Sequence, residues 1–187
     1  IQKSFQLCNL CLTEYDEKKI KTVMEIEDDM DRVQESLSDA IEKIAAKELD
    51  EKDSKRIFMY EKAVTDCERR SDYEKSIVHA FEKMNKKGEK FTKEGFVEAN
   101  IIFSATNDLM EETVNAFIHE DVHDEELSGD LEVRRRKIKE MKKEMKRNHK
   151  IRLEKGECSV DVGIIFIDMV TSLNRIAGHL KSVGEVI

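Results

Sequence analysis

Carboxylates spaced one helical turn apart are the residues of this sequence whose pattern suggests chemistry. Glu68 and Asp72 lie four residues apart in TDCERRSDYEKSI, and Glu27 and Asp31 have the same spacing in EIEDDMD. Residues four apart share one face of a helix. Two such helices packed together would place oxygen donors around one point, and oxygen-only sites suit Mg²⁺, Ca²⁺, Mn²⁺ or iron. Because the chain has 41 acidic residues, the alternative is that these four are solvated surface acids.

The elements that would position these carboxylates are helices. The chain of 187 residues has no proline, seven glycines and 40% charged residues, and its apolar residues recur at steps of three and four. This pattern predicts an all-α fold, an elongated antiparallel bundle of long helices. We expect helices over about 4–47, 52–86, 93–119, 133–152 and 162–186, with a bend or break near Gly129. Residues predicted to face the core include Val33, Leu37, Ile44, Tyr60 and Ile101.

The sequence also repeats itself weakly about its midpoint. TDCERRSDYEKSI aligns with TSLNRIAGHLKSV at a shift of 106 residues, which pairs Thr65, Arg69, Lys75 and Ser76 with Thr171, Arg175, Lys181 and Ser182. A shift of 108 places Val23, Met30, Val33 and Leu37 on Leu131, Ile138, Met141 and Met145. Self-similarity of this kind predicts two repeats of one helical unit, 1–90 and 91–187.

The two repeats differ at the four carboxylates. By these shifts, Glu27, Asp31, Glu68 and Asp72 correspond to Arg135, Lys139, Asn174 and Gly178. All four positions have lost their negative charge, and two carry a cation instead. Loss of a metal site would release all four positions together, so we predict a metal site in the first repeat and none in the second.

The segment around Glu68 and Asp72 resembles the signature of PhoU-domain helices, D-L-E-R-I-G-D-H-A-x-N-I, with both acids in register. EIEDDMD supplies the companion motif, and LNRIAGHLKSVGE keeps the frame of the signature in the second repeat. Tyr73 stands where the family usually has histidine. The resemblance implies two three-helix repeats packed into a bundle. It also implies a divalent metal or iron (Mg, Mn, Ca or Fe) held by Glu27, Asp31, Glu68 and Asp72 in the first repeat.

RNHKIRLEKGECSVDVGIIFIDM resembles the region before the last helix in PhoU-like tails of bacterial sodium/phosphate cotransporters. The resemblance implies a non-enzymatic regulatory domain for phosphate uptake, cytoplasmic and at the inner face of the cell membrane. Its implied partners are the transmembrane part of a phosphate transporter, in the same chain or associated with it, and a second copy of the domain. We interpret the start at Ile1, without methionine, as that of a fragment. The alternative is a metal-free helical scaffold that mediates protein–protein association or oligomerisation.

A basic run from Arg134 to Arg152 contains eleven lysines and arginines against two glutamates. One interpretation is a solvated face paired with the acidic first helix. The other is contact with anionic lipid headgroups or an acidic partner. The residues predicted to make that contact are Arg134, Arg135, Lys139, Lys142, Lys143 and Lys146. The net charge of −8 for the whole chain argues against nucleic acid as the main partner.

Two further motifs have weaker functional interpretations. HEDVH (119–123) matches the HExxH helix of zinc proteases, but the sequence offers neither a third ligand nor a sheet to hold substrate, so adventitious surface zinc is the stronger alternative. Cys8 and Cys11 form a CxxC without the second pair that a metal ribbon requires. We predict that both are buried as small hydrophobic residues in a reducing compartment.

Several classes of protein are not indicated. The sequence shows no nucleophile–base arrangement, no glycine-rich phosphate loop and no dinucleotide fingerprint, so we predict that it is not an enzyme. No signal peptide is visible, and no stretch approaches the roughly 20 apolar residues of a membrane span.

Overall fold

The computed structural model describes residues 2–119 and 125–184, and these two ranges contain six helices and no strand. The prediction of an all-α fold is therefore confirmed. The longest helix has 36 residues, which gives it a length of about 54 Å at 1.5 Å per residue and makes the bundle elongated. The helices are α1 (Gln2–Thr13), α2 (Glu17–Ala45), α3 (Glu51–Lys86), α4 (Lys93–His119), α5 (Glu125–Glu154) and α6 (Val160–Gly184).

The helices pack as two units of three. Within the first unit α1 contacts α2 and α3, and within the second α4 contacts both α5 and α6. The units join mainly along α3 and α6, with a smaller contact between α1 and α4. The α3 and α6 helices run antiparallel. Asp66 contacts His179 near one end of their interface, whereas Lys83 and Asp168 line one surface pocket together further along it.

The prediction of a single helix over 4–47 is wrong, because the helix is interrupted between Thr13, where α1 ends, and Glu17, where α2 begins. Asp16 begins α2 as its N-cap, and its carboxylate accepts hydrogen bonds from the backbone N–H of Lys18 at 2.9 Å and of Lys19 at 3.3 Å. This satisfies donors that a helix start leaves free. Both α1 and α2 direct apolar residues into the same core. The spacing of apolar residues therefore continues across the interruption and gives no sign of it.

The outer part of the α2–α3 hairpin is more exposed than the sequence predicts. Leu37 is 41% exposed, whereas its counterpart in the second repeat, Met145, is 5% exposed. The cause is the length of the helix that packs against each hairpin. In the first unit this helix, α1, has 12 residues, whereas in the second unit its equivalent, α4, has 27. The short α1 therefore leaves the outer end of the α2–α3 hairpin uncovered. We call these exposed residues the hairpin tip; they are Val33, Leu37, Ile44, Phe58 and Tyr60.

Two other details correct the sequence analysis. Ile101 is exposed, because its neighbours Ile102 and Phe103 take the core-facing positions of α4. Gly129 does not mark a break, since α5 continues through it.

The core is contributed largely by α6, which buries ten residues. The rings of Phe5 on α1 and Phe103 on α4, 5.6 Å apart, link the two units. Cys8 and Cys11 are buried and free, as predicted. Burial raises the pKa of both thiols, so neither is a reactive thiolate at neutral pH.

The second unit also buries a histidine. His149 on α5 is 4% exposed, and its ring stacks on Phe166 at 5.3 Å. Burial lowers the pKa of His149, and the nearby Arg152 guanidinium lowers it further. The ring therefore packs in its neutral form at physiological pH.

Candidate functional site

The predicted carboxylates lie on the facing sides of α2 and α3. Glu27, on α2, is 2% exposed although it is acidic. Lys75, on α3, donates a hydrogen bond from Nζ to Glu27 Oε2 at 2.7 Å. This bond raises the pKa of Lys75, and the pair supplies the positive charge that a buried carboxylate needs.

The other three carboxylates belong to the same cluster. Burial raises the pKa of Glu68, and the charges of Asp72 and Asp31 raise it further. Burial likewise raises the pKa of Glu27, with the hydrogen bond from Lys75 opposing it and Asp31 adding to it. The fold therefore brings the four predicted residues near one another, with the charges of Asp31 and Asp72 acting on both Glu27 and Glu68. We call these four residues the acidic cluster.

The donors of the acidic cluster suit a hard divalent ion, because all are carboxylate oxygens whose mutual repulsion a cation would relieve. In the described part of the chain, however, no three acidic, histidine or cysteine side chains converge closely enough to hold a metal ion. In addition, the Lys75 ammonium occupies one oxygen of Glu27, Oε2. The residues therefore fit a metal only if Lys75 moves away and the carboxylates turn towards one another. Metal binding by Glu27, Asp31, Glu68 and Asp72 stays a prediction.

The equivalent place in the second unit has the opposite charge. Arg135 and Lys139 lie on α5, and Asn174 and Gly178 lie on α6, with open space beside Gly178. Lys181, the counterpart of Lys75, approaches Glu132 at 3.9 Å, and Glu132 is 28% exposed. The distance is longer than that between Lys75 and Glu27, and the carboxylate is more exposed than Glu27. The counterpart of Glu27 itself is the cation Arg135.

A groove between α3 and α6 was not anticipated from the sequence. It has a volume of about 720 Å³. The rings of Tyr73 and His179 stack inside it at 5.8 Å, and these two residues correspond to each other in the repeat. Contact between equivalent residues places the pseudo-twofold axis that relates the two units in this groove. Its lining comprises Arg69, Asp72, Tyr73, Lys75, Ser76, His79, Arg175 and His179.

One feature of the groove could have been found from the sequence, and another could not. Arg69 and Arg175 are among the few residues that the two repeats share, which indicated a retained role rather than drift. The pair between His179 Nδ1 and Asp66 Oδ1, at 2.8 Å, gave no such signal because it joins residues that are 113 positions apart.

The basic run lies on α5 and is largely solvent-exposed, as one interpretation predicted, but the predicted pairing with the acidic first helix is wrong. Among the described residues, the α5 helix contacts α4 and α6, and neither α1 nor α2. Arg134 pairs with Glu112 of α4, and Arg152 pairs with Glu98 of α4 at 2.7 Å. Lys143 pairs with Glu140 on α5 itself at 2.7 Å.

Arg136, Arg147 and Lys150 also pair with glutamates, but part of the basic run is left for other contacts. Within the described residues, no carboxylate pairs with Arg135, Lys139, Lys142 or Lys146. Burial lowers the pKa of Lys142, and the positive charges of Lys146, Arg175 and Lys139 lower it further. Arg175 therefore lies both in the groove and at the edge of the basic run. Contact of the basic run with lipid headgroups stays a prediction.

The HEDVH motif lies largely outside the described residues, which leave out 120–124. None of the helices in the described ranges has the length and apolar character to cross a membrane.

Comparisons with known proteins agree with the helical architecture. A family model described as PhoU domain matches residues 1–81 and 101–187, a part of each unit. The crystal structure of PhoU from Pseudomonas aeruginosa superposes with a TM-score of 0.88 at 21% sequence identity, covering 99% of this chain and 87% of that one. At this identity the likeness shows the fold alone. No curated protein matches the sequence.

The family match decides the identity of the fold. Because the model matches most of both units, the chain belongs to the PhoU-domain family, and the expected two-repeat helical bundle is confirmed. The division at residue 90 stays a prediction.

Proposed function

We propose that this PhoU-family chain is a non-enzymatic regulatory domain for phosphate uptake, the cytoplasmic PhoU-like tail of a sodium-dependent phosphate transporter. The observation that carries the proposal is the match of the PhoU-domain model to both units. The resemblance of the segment around α5 and α6 to transporter tails adds the link to a transporter. The functional core is then the α3–α6 interface, where the units meet.

Such a domain acts by contact, and two of its surfaces suit that role. The hairpin tip exposes apolar side chains, with Phe58 68% exposed, which supports contact with the transmembrane part of a transporter or with a second copy. The unpaired cations of α5 support contact with anionic headgroups at the inner face of the membrane. Both contacts would report the state of the domain to the transporter.

We propose in addition that the first unit binds a divalent cation such as Mg²⁺, Mn²⁺, Ca²⁺ or iron. Glu27, Asp31, Glu68 and Asp72 would hold it after Lys75 swings out. A bound ion would neutralise the acidic cluster and join α2 to α3 more firmly. The second unit, with Arg135 and Lys139 at the equivalent positions, would repel a cation.

The second candidate function is a metal-free scaffold for association with a partner or a second copy. The Lys75–Glu27 pair favours it, because the ammonium already neutralises the most buried carboxylate of the acidic cluster. The two candidates differ in one property: a scaffold keeps its partner affinity when divalent ions are removed with a chelator, whereas a metal-dependent regulator does not.

Phosphate uptake tests the regulatory proposal. Uptake of radiolabelled phosphate should be measured in cells that carry the transporter with or without these 187 residues. With the domain present, uptake should fall when external phosphate is abundant, and without it uptake should stay high. Uptake that is identical in both strains at every phosphate concentration would contradict the proposal.

Vesicle binding tests the membrane contact. Replacing Lys142, Lys143 and Lys146 by glutamine should weaken binding to anionic vesicles, and added salt should weaken it in the parent protein, because such contacts are screened. Vesicle binding that survives the triple replacement would remove the α5 run from the membrane contact.

A further inference from the structure

We propose that the groove between α3 and α6 is a binding site for a small anion that carries two or more phosphoryl groups. This site borders the acidic cluster, with which it shares Asp72, and it depends neither on a bound metal nor on the link to a transporter. Its volume of about 720 Å³ lies within the range of small-molecule sites, about 300–1,000 Å³, and is much larger than a single phosphate needs.

The charges of the groove favour an anion. Arg69 projects from α3 and Arg175 from α6, and both are exposed. Neither arginine pairs with a carboxylate in the described parts of the chain, although most of the other arginines there do. A guanidinium binds phosphate through two parallel hydrogen bonds. Because one arginine comes from each repeat, the two can bind two phosphoryl groups of one ligand from opposite walls.

The remaining polar residues of the lining are engaged within the protein. Lys75 donates to Glu27, Ser76 donates to the backbone carbonyl of Asp72, and His79 contacts Glu82. The two arginines therefore supply the donors for the anion. His179 is fixed in place because the Asp66 carboxylate accepts a hydrogen bond from its Nδ1 at 2.8 Å. Asp72 is the acidic member of the lining, so the anion would bind on the arginine side of the groove.

The surroundings extend the positive charge beyond the groove. Arg175 lies close enough to Lys142 for its charge to lower the pKa of that lysine, together with Lys146 and Lys139. These three lysines have no carboxylate partner within the described residues. A polyanion in the groove would relieve their mutual repulsion, and the field of this surface would attract it from solution.

Calorimetric titration with tripolyphosphate at low salt, in the presence of a chelator, tests the site without any contribution from metal. The parent protein should bind, and the double variant Arg69→Gln, Arg175→Gln should bind at least tenfold more weakly. The matched control is Lys143→Gln, Arg147→Gln, which removes two exposed charges of α5 outside the groove and should change affinity less than twofold. Circular dichroism should show equal helix content in all three proteins.

Further arms identify the ligand and the basis of recognition. Pyrophosphate should bind more weakly than tripolyphosphate, and inorganic phosphate more weakly still. The double variant Arg69→Lys, Arg175→Lys should keep part of the affinity, because it keeps the charge but loses the planar fork. No binding of tripolyphosphate by the parent protein, or an equal loss in the control variant, would overturn the proposal. Binding only to vesicles of phosphatidylglycerol would also overturn it, since that would assign the cations to a lipid surface.

Discussion

The two units of this bundle share their packing and differ in charge at the same places. The four carboxylates of the acidic cluster lie on α2 and α3, and Lys75 pairs with the most buried of them, Glu27. On α5 and α6, the equivalent positions hold Arg135, Lys139, Asn174 and Gly178. The core positions of the repeat keep apolar character in both units, as Val23 and Leu131 show by being about 1% exposed each. The apolar framework thus preserves the fold, while the polar residues on it have diverged in charge.

The comparison of the two lysines predicts the largest effect on stability. Lys75→Met leaves Glu27, whose side chain is 3% exposed, without its cation, and a buried group that loses its partner costs about 1–3 kcal/mol. Lys181→Met affects a partly exposed pair and should cost less than about 1 kcal/mol. Urea unfolding of both variants measures the difference.

Manganese sharpens this comparison. In Lys75→Met an added ion can take the place of the ammonium, so Mn²⁺ should stabilise this variant more than the parent protein. Equal losses of unfolding free energy in Lys75→Met and Lys181→Met would show that Glu27 does not depend on its lysine more than Glu132 does.

The sequence predicted the two helices beside the midpoint best, whereas it placed the start of α5 at about 133 instead of Glu125. The bounds of α3 and α4 agree with the structure to within one residue, because KKGEKF supplies turn residues between two periodic segments. The break before α2 was missed, since Asp16 is a cap without glycine or proline beside it. The uncovered hairpin tip was missed as well, because exposure there depends on the length of α1 and not on the local pattern.

The acidic cluster and the groove could also be predicted from the sequence only in part. The grouping of the four carboxylates was predicted from the resemblance to PhoU-domain helices, and helix geometry adds only that the two members of each pair share a face. The reach of Lys75 across to Glu27 could not be predicted, since it depends on how α2 and α3 pack side by side. The groove depends on contacts between α3 and α6 that are about 100 residues apart, such as that between Tyr73 and His179, and local pattern carries no information about them.

Acid pH should distinguish the units in a second way. His149 has a lowered pKa in the folded protein, so protonation favours the unfolded state. The stability that the neutral ring provides is therefore lost as the pH falls from above the pKa of His149 in the unfolded chain towards its pKa in the folded protein. Its counterpart in the first unit by the 108 shift is Ile41, which does not titrate. The parent protein should therefore lose about 1 kcal/mol or less of stability between pH 7 and pH 5 that His149→Leu does not lose. If the stability difference between the two proteins is the same at both pH values, His149 makes no such contribution.

Gly178 offers the smallest effect, with the opposite sign. It replaces the Asp72 of the first unit, lies inside α6, and has nothing within 4 Å of an added Cβ. Gly178→Ala should raise stability by about 0.5–1 kcal/mol, because glycine is a poor helix former. Gly163→Ala is the matched control and should destabilise, since its Cβ would lie 2.5 Å from His149 Nε2. Thermal unfolding checks both, and a lower melting temperature for Gly178→Ala would mean that this position is packed.

Titration of the protein with Mn²⁺ in a calorimeter tests the charge asymmetry of the two units most directly. The account predicts binding with a stoichiometry set by the first unit alone, tighter binding in Lys75→Met, and none in the double variant Glu68→Gln, Asp72→Asn. The double variant Arg135→Gln, Lys139→Gln, which changes the equivalent helix of the second unit, should leave binding unchanged. Binding that persists without Glu68 and Asp72, or that disappears when Arg135 and Lys139 are changed, would contradict a cation site confined to the first unit.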